Sequence, residues 1–480
     1  MGTGKSIKGF AVILILTVTF SSLALSGTRI MFAEQSSLGN WPMFRYNSAH
    51  NGVTSNAGPT EGDKIWSFVE GHFDGSFIGS SAAVVNGVVY VGSNWNNNPT
   101  QYPYGTGNIY AFNAGTGAKI WNYSTDSSVY SSPAVVGNVM FIGVGSDVWA
   151  LDASTGMKIW SFPTGGTVNS SPDVVDGVVY VGSWDGNVYA LNASNGEKLW
   201  NFTTYSDTAL KDSQNGGAIE SSPAVVNGAV YVGSDDGNLY ALNASTGYKL
   251  WNYTTSYQLT WTVGNLVTSS PAVSDGVVYV GSVGGDIYAF NATTGRKIWS
   301  YYTGPSVAFG GGYWHGVQAS PAVDYGMVYA GSVDGYMYAL NASTGKPTWE
   351  VKTGAVLSSA AVSNGVVYVA LGFDVCALNA ATGAKIWIFT TQNQINASPS
   401  LYDGVIFIAS QDGHFYAIGG EQSDVVLVVV IVAVAVVVIV AVVALVFGKQ
   451  LKTTPSAKGK ESTPQSTISA KAGFSKITGE

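Results

Sequence analysis

Residues 221–251 read SSPAVVNGAVYVGSDDGNLYALNASTGYKLW, and this stretch decides the fold. It predicts four short β-strands of the usual length, about five or six residues, joined by tight turns. The Asn-Gly pair at Asn227 matches a type I′ hairpin turn, which needs positive φ at both central positions. Asp-Gly at Asp236 and Ala-Ser-Thr-Gly ending at Gly247 supply the next two turns. The stretch is therefore interpreted as one four-stranded antiparallel blade.

The tryptophan of the fourth strand marks the period of the repeat. Its spacing, 38 to 55 residues, is close to that of four-stranded propeller blades. A large flat ring can pack between adjacent blades and bury ~150–250 Å². We therefore interpret these tryptophans as structural docking residues. They are Trp66, Trp121, Trp160, Trp200, Trp251, Trp299, Trp349 and Trp387.

The blade count follows from a mismatch between the two ends of the repeat array. The strand that contains Trp66 is not preceded by the other three strands of a blade. The last three strands, which end at Ile418, are not followed by a tryptophan strand. The strand at Trp66 closes the last blade if it becomes the fourth strand of the blade that begins at Ser398, and no blade is left open. The sequence predicts an all-β, eight-bladed β-propeller with four-stranded blades closed by N-terminal strand pairing.

The turn before the tryptophan carries a family resemblance. The stretch ALDASTGMKIW at 150–160 resembles the tryptophan-docking motif of the pyrroloquinoline-quinone (PQQ) repeat family, with departures at Pro347 and at 373–379. The segment 41–52 is similar to the one that precedes many PQQ-like propellers. The resemblance implies the fold but not the cofactor. The family includes quinone-dependent dehydrogenases and non-catalytic members such as the bacterial barrel-assembly lipoprotein.

The N-terminus predicts export. Lys5 and Lys8 precede a mostly apolar run at 10–25, which is typical of a signal peptide, and we place that peptide at residues 1–33. An uncleaved N-terminal anchor is the alternative. Residues 34–59 are then a lead-in to a propeller that we expect at 60–420.

The C-terminus predicts a membrane anchor. Residues 425–447 are 23 consecutive apolar residues, long enough for one transmembrane α-helix. The lysines that follow favour a cytoplasmic position for residues 448–480, which are too polar to form a core and are predicted to be disordered. We therefore expect a single-pass protein of the cell membrane with an extracellular propeller.

The charge distribution excludes one class of partner. The chain has a net charge of −8, although its first 29 residues hold three cations and no acid, and the tail after 447 holds six lysines against two glutamates. The propeller between them is therefore the acidic part. Nucleic acids are bound by Lys and Arg that neutralise phosphates, so we predict no nucleic-acid partner.

Long connections predict the position of a binding surface. The insertions at 94–108, 203–219, 254–267 and 303–317 all fall in connections that share one face of a propeller. Their aromatic residues predict a binding rim around the channel mouth, and packing of the loops on one another is the alternative. The rim candidates are Trp95, Tyr102, Tyr104, Tyr205, Glu220, Tyr257, Trp261, Phe309, Tyr313, Trp314 and His315.

The residues favour a binding module over an enzyme. We predict no catalytic and no metal residues. A Ca²⁺ site needs six to eight oxygen ligands, and no matching set of acids and amides recurs in the sequence. The vicinal cysteine pair of many quinone enzymes is also missing, since Cys376 is the single cysteine. Binding of PQQ and Ca²⁺ as cofactors is suggested only by the family resemblance.

Two functions from different classes follow. The first is a cell-surface, membrane-anchored binding or scaffolding module for an envelope protein or glycan. The alternative is a membrane-anchored PQQ-dependent dehydrogenase.

Nine Asn-x-Ser/Thr sequons are candidate glycosylation sites in an exported chain. The alternative is that the repeat copies Asn into turns, where this residue is favoured for its backbone conformation. The sequons begin at Asn122, Asn169, Asn192, Asn201, Asn243, Asn252, Asn291, Asn341 and Asn396.

Overall fold

The blade formed by residues 221–254 is an antiparallel meander of four strands, labelled A to D in chain order. These strands are Ala224–Val226, Ala229–Gly233, Asn238–Asn243 and Lys249–Thr254. Its A–B turn has φ of 51° at Asn227 and 75° at Gly228, the pair of positive values that a type I′ turn requires. The Asn-Gly pair thus sets the register in which Val226 lies opposite Ala229.

The repeat of this meander builds the whole propeller. The computed structural model describes residues 40–69, 76–77, 80–95, 105–204, 217–255, 266–304 and 316–420. Within these ranges the strands form eight blades of four strands each, so the prediction of an all-β, eight-bladed propeller is confirmed. Strand A is innermost, because the A strands of neighbouring blades lie beside one another, and strand D is outermost.

The strand bounds follow the repeat closely. The A strands are Ala83–Val85, Ala134–Val136, Asp173–Val175, Ala224–Val226, Ala272–Ser274, Ala322–Asp324, Ala361–Ser363 and Ser400–Tyr402. The B strands are Val88–Trp95, Val139–Val144, Val178–Gly182, Ala229–Gly233, Val277–Gly281, Met327–Gly331, Val366–Leu371 and Val405–Ala409. The C strands are Thr106–Asn113, Asp147–Asp152, Asn187–Asn192, Asn238–Asn243, Asp286–Asn291, Tyr336–Asn341, Asp374–Asn379 and His414–Ile418. The D strands are Lys119–Thr125, Lys158–Pro163, Lys198–Thr203, Lys249–Thr254, Lys297–Tyr302, Pro347–Lys352, Lys385–Thr390 and Lys64–Val69.

Two short strands lie outside this scheme. Val53–Thr54 pairs in parallel with strand A of blade 7, and Ser76–Phe77 pairs antiparallel with the end of strand B of blade 1.

The eighth blade is shared by the two ends of the propeller. Lys64–Val69 pairs antiparallel with His414–Ile418 and places Trp66 opposite Ala417. The N-terminal strand therefore supplies strand D of blade 8, as the orphan tryptophan strand predicts. This pairing leaves no unpaired strand at the junction of the two ends.

Each docking tryptophan joins its blade to the next one. In seven blades the indole N–H donates to an alanine carbonyl in the following C–D turn at 2.8–3.0 Å. At the closing junction Trp387 donates to the carbonyl of Pro59 at 3.2 Å. The ring also lies against the glycine of that turn. At Gly247, whose φ is 72°, an added Cβ would lie 2.6 Å from the Trp200 ring. This glycine therefore supplies both the turn conformation and the space for docking.

The hydrophobic core is a series of layers between neighbouring blades. Between blades 3 and 4, Tyr180 and Val188 pack against Val230 and Tyr240, all nearly inaccessible to solvent. Burying one valine side chain contributes about 1.5–3 kcal/mol, so these layers supply most of the stabilisation. Cys376 lies in such a layer, and burial raises the pKa of its thiol to about 12.

A closed ring of serine hydrogen bonds lines the channel. At the start of each strand A, one serine Oγ accepts the backbone N–H of the equivalent serine in the preceding blade, at 2.9–3.0 Å. Ser398 donates to Ser81 at 2.9 Å and completes the circle between blades 8 and 1. The ring consists of Ser81, Ser132, Ser171, Ser222, Ser270, Ser320, Ser359 and Ser398.

No helix within the described ranges is long and apolar enough to span a membrane. The predicted signal peptide at 1–33, transmembrane helix at 425–447 and tail at 448–480 lie outside the described residues. These three segments stay predictions.

Candidate functional site

The two ends of the channel are built from different connections. In each meander the A–B and C–D turns emerge at one end, which we call the turn face, as with 227–228 and 244–248 in blade 4. The B–C and D–A connections emerge at the other end, which we call the loop face. The long insertions of the sequence all belong to the loop face.

The predicted rim falls almost entirely in undescribed parts of the loop face. Tyr102, Tyr104, Tyr205, Tyr257, Trp261, Phe309, Tyr313, Trp314 and His315 lie outside the described residues. Trp95 ends strand B of blade 1, and only its backbone is described. The described Glu220 is solvent-accessible at the loop face of blade 4. The rim as a whole stays a prediction.

Glu220 lies close to a second carboxyl group. Glu220 is accessible to solvent yet surrounded by many protein atoms, and this desolvation raises its pKa. Burial raises the pKa of Asp235 to about 8, and the charges of Glu220 and then Asp236 act in the same direction. The Oδ1 atom of Asp235 has no hydrogen-bond partner. The charge of Glu220 thus disfavours the ionised form of Asp235.

The described residues do not fit a calcium–quinone centre. Within the described ranges, no group of three or more His, Cys, Asp and Glu side chains converges as a metal site would require. The chain's single cysteine is buried in strand C of blade 7 and cannot form a vicinal pair. Glu220 and Asp235 alone fall well short of the six to eight oxygen ligands of Ca²⁺.

The Asp-Gly turns of the loop face have a structural role. In blades 3, 4, 6 and 8 the aspartate Oδ2 accepts the phenol O–H of a tyrosine in strand C at 2.6–2.8 Å. Its Oδ1 accepts the backbone N–H two residues further on, at 2.9–3.0 Å. Both carboxylate oxygens therefore already have protein partners in these four turns.

An inner belt, residues 40–57, runs around the channel between the serine ring and the turn face. Its carbonyls accept backbone N–H groups from strand A or the A–B turn of every blade except blade 3, at 2.7–3.0 Å. The belt thus pairs inner-edge amides that would otherwise face the channel without a partner. Blade 3 makes no such bond; its buried Asp173 accepts the N–H of Val225 in blade 4 at 3.0 Å, which also donates to the belt carbonyl of Ser48, and burial raises the pKa of Asp173.

Arg45 of the belt crosses the channel. It lies between the belt contacts to blades 2 and 4, yet its guanidinium donates to the carbonyls of Pro321 in blade 6 and Ala360 in blade 7, the latter at 2.6 Å. A third bond reaches the carbonyl of His50 at 3.3 Å. Burial lowers the pKa of Arg45 to about 9. Gly52 permits this approach, since a Cβ there would lie 2.5 Å from Nη2 of Arg45.

His50 is sealed inside the belt. It is 0% exposed, and neither ring nitrogen has a hydrogen-bond partner. Burial, and then the positive charge of Arg45, lower the pKa of His50 to about 3. The imidazole is therefore neutral at physiological pH. It packs edge-to-face with the ring of Phe44, and the two ring centroids are 5.6 Å apart. With no solvent access, His50 serves the packing of the belt.

A groove of about 480 Å³ opens on the loop face across blades 1 to 3. Its aromatic lining is Tyr130 in the connection from blade 1 to blade 2, Trp149 in strand C of blade 2, and Trp184 in the B–C turn of blade 3. Tyr130 is 43% exposed and Trp184 is 42% exposed. Large rings with this much exposure, next to one concave surface, are typical of a binding site.

The polar lining of this aromatic groove is incompletely paired. The Nδ2 donor of Asn94 and the Oδ1 acceptor of Asn169 are buried without a hydrogen-bond partner. Leaving such an atom unpaired costs about 1–3 kcal/mol, so each indicates a water or ligand atom that pairs with it. Asp126 and Asp147 add carboxylates to the same lining.

The groove lies at blade 2, which, like blade 7, has a two-residue B–C connection. The connection of blade 2 has two residues, Gly145 and Ser146, where that of blade 3 has four, and this leaves space above blade 2 between its neighbours. Strand C of blade 2 carries Trp149 in place of the tyrosine that binds the turn aspartate in other blades. The indole N–H of Trp149 donates to Asp147 at 3.3 Å, and Lys158 Nζ lies 4.0 Å from the ring. The ring is thereby held in place.

The long-loop prediction reaches the groove only at Asn94, the first residue of the insertion at 94–108; the other lining residues lie outside the long insertions. A usable signal is present in the sequence. Trp184 occupies the turn position that carries aspartate, valine or glutamine in blades 4, 5, 6 and 8, as at Asp235, Val283, Val333 and Gln411. A bulky ring at an exposed turn position has no role in the repeat itself.

Comparison with known proteins covers almost the whole propeller. The family model described as outer membrane protein assembly factor BamB matches residues 50–257, 255–360 and 352–426. No protein of curated function matches the sequence.

Several solved structures share the fold. BamB from Moraxella catarrhalis is 18% identical, with a TM-score of 0.58, 75% of this chain covered and 98% of that one. The quinohemoprotein alcohol dehydrogenase from Comamonas testosteroni is 16% identical, with a TM-score of 0.64, and 80% and 81% of the two chains are covered. A europium-containing methanol dehydrogenase is also 16% identical, with a TM-score of 0.64 and coverage of 78% and 90%. At these identities the likeness concerns the fold alone.

Proposed function

The chain belongs to the outer membrane protein assembly factor BamB family of PQQ-like propellers, and on that premise we propose that it is a membrane-anchored binding module at the cell surface. Its loop face engages an envelope component, and its turn face is structural. The observation that carries this proposal is the aromatic groove, where exposed rings stand beside buried amide groups without partners. The family is compatible with such a module but does not decide between binding and catalysis, because a propeller fold serves both.

The proposed anchor is the apolar segment 425–447, which begins a few residues after blade 8. Its following lysines favour a cytoplasmic tail. A tag added after Glu480 should therefore be protected when intact cells are treated with protease, and antibodies against the propeller should label the same intact cells. Digestion of the tag on intact cells would contradict this orientation.

The binding role is tested by site-specific photo-crosslinking of the full chain in its native membrane. A benzophenone group is introduced at the groove as Tyr130→p-benzoylphenylalanine. A matched control carries it at Tyr248, which is 77% exposed in the C–D turn of blade 4 on the turn face. We expect a discrete crosslinked envelope species from position 130 and none from position 248. Identical products from both positions, or none from position 130, would contradict a loop-face binding site.

A further inference from the structure

We propose that the aromatic groove binds a neutral oligosaccharide, so that a glycan is the envelope component engaged by the loop face. This inference rests on the proposed binding function and assigns its ligand class. It is carried by the rings, the unpaired amides, the charges and the depth of this groove.

The aromatic rings supply the first requirement of sugar binding. A pyranose presents a face of C–H groups with slight positive polarity, and the face of an aromatic ring is electronegative. Tyr130, in the connection from blade 1 to blade 2, and Trp184, in blade 3, both line the groove and keep more than two-fifths of their surface accessible. Trp149 also lines the groove; its ring is buried and is held by Asp147 and Lys158. We therefore expect a sugar ring to stack on the accessible rings of Tyr130 and Trp184.

The unpaired amides supply the second requirement. A sugar hydroxyl is both a donor and an acceptor, so it pairs with an Asn nitrogen as well as with an Asn oxygen. The groove offers one of each, Asn94 Nδ2 and Asn169 Oδ1, and both are buried and without a partner in the protein. A ligand with several hydroxyls offers partners for both kinds of atom, which an apolar ligand cannot do.

The charges select among sugars. Asp126 and Asp147 line the groove, and none of its thirteen lining residues is a lysine, arginine or histidine. Carboxylates accept hydrogen bonds from neutral hydroxyls and repel acidic groups. Neutral sugars are therefore favoured over uronic acids and other anionic sugars.

The shape favours a glycan over a peptide. The volume of about 480 Å³ lies within the range of small-ligand sites, ~300–1,000 Å³. Peptides that bind grooves bury apolar anchors or extend an exposed strand edge. Here nine of the thirteen lining residues lie in turns and connections, and Val144 is the single large aliphatic residue among the thirteen.

Asn169 gives the inference an internal check. It begins a predicted sequon, Asn-Ser-Ser, yet it lines the groove with its Oδ1 atom buried. A glycan attached at this position would occupy the groove itself. We expect mass spectrometry of the native protein to find Asn169 unmodified, and a modified Asn169 would overturn the proposal.

The direct test uses the full chain in a detergent without a sugar headgroup. Maltotriose, chitotriose and mannotriose are the neutral probes, trigalacturonate is the acidic comparison, and binding is followed by calorimetry and saturation-transfer NMR. We expect at least one neutral probe to bind, and trigalacturonate to bind about tenfold more weakly or not at all. Absence of binding by all three neutral probes at about 10 mM, which detects a millimolar Kd, would overturn the proposal.

Variants locate the binding. Trp184→Ala should weaken binding of the best probe about tenfold, Trp184→Phe should restore most of it, and Tyr248→Ala on the turn face should leave it unchanged. Equal binding by wild type and Trp184→Ala would overturn the assignment to this groove.

The photo-crosslinking experiment separates failure of this inference from failure of the binding function. Mild periodate destroys the vicinal diols of sugars and leaves peptide bonds intact. If the crosslink from position 130 is lost after periodate treatment of the envelope, the glycan assignment is supported. If the crosslink survives periodate, the loop face binds a protein, so the binding function stands and the glycan assignment falls. If no crosslink forms before treatment, the binding function itself falls.

Discussion

The inner belt and the aromatic groove both interrupt the regularity of the propeller, but in opposite ways. The belt carbonyls accept backbone N–H groups from seven blades, and the belt shields Arg45 and His50 from solvent. The groove leaves Asn94 and Asn169 without partners next to accessible rings. Both regions contain buried polar atoms without a hydrogen-bond partner, because the two ring nitrogens of His50 in the belt have none either. Only in the groove do such atoms belong to residues that line a cavity open to solvent, so substitutions in the belt should change stability and substitutions in the groove should change binding.

The largest effect on stability is expected from Arg45→Ala. The substitution leaves carbonyls of blades 6 and 7 without their donor and opens a cavity in the channel. We expect the free energy of unfolding to fall by about 3 kcal/mol, measured by urea denaturation of the full chain. Arg296→Ala, in an exposed C–D turn, is the control and should stay within about 0.5 kcal/mol of wild type. An equally small change for Arg45→Ala would show that the belt is dispensable.

A smaller effect should appear in the pH dependence of stability. His50 has a pKa of about 3 in the folded protein, while the unfolded chain binds a proton with the ordinary histidine pKa of 6.5. Below about pH 6.5 the unfolded state therefore binds more protons, and stability falls as pH falls. From pH 7 to pH 5 this amounts to about 2 kcal/mol.

His50→Phe keeps an aromatic ring that does not titrate. In the same denaturation assay, the free energy of unfolding of this variant should not show the loss of about 2 kcal/mol between pH 7 and pH 5 that His50 causes. Between pH 7 and pH 9 its free energy of unfolding should differ from that of the wild type by a constant amount. Parallel curves for the two proteins down to pH 5 would show that His50 titrates normally and is not sealed.

The serine ring lies between the two regions and should have an intermediate role. Ser222→Ala removes the acceptor of the Ser171 N–H and leaves that buried donor unpaired. We expect a loss of about 1 kcal/mol of unfolding free energy. Ser245→Ala, at an exposed turn position, serves as the matched control and should have no measurable effect. Indistinguishable stabilities of the two variants would argue against a contribution from the ring.

The smallest effect on stability is expected from Trp184→Ala. The ring lies in a turn of the loop face and is 42% exposed, so its removal should change the free energy of unfolding by less than about 0.5 kcal/mol. The same variant should bind the oligosaccharide about tenfold more weakly. A loss above about 1 kcal/mol in urea denaturation would place Trp184 with the structural residues and remove the contrast between belt and groove.

Much of the fold was predictable because it depends on local and periodic features. The Asn-Gly turn at Asn227 requires a particular backbone conformation and so defines a hairpin of the blade. The regular spacing of the tryptophans then shows that the same blade recurs around the closed circle. Even the closure between Lys64–Val69 and His414–Ile418 follows from counting strands. The candidate site was less predictable. Loop length directed attention to the insertions at 94–108, 203–219, 254–267 and 303–317, whereas the groove takes only Asn94 from them and combines it with the short turn at Gly145 and Ser146.

The amino-acid sequence by itself determined the strands, the turns, the blade number and the partner strand that closes the circle. These features depend on neighbours within a hairpin or on a count of repeats. Tertiary structure alone decided that residues 40–57 would line the channel, and that Arg45 would bond to carbonyls some 300 residues away. It also brought Asn94, Tyr130 and Trp184 around one groove. The physical reason is that closure of the circle sets the distances between blades, and no local pattern records which side chains then face the same space.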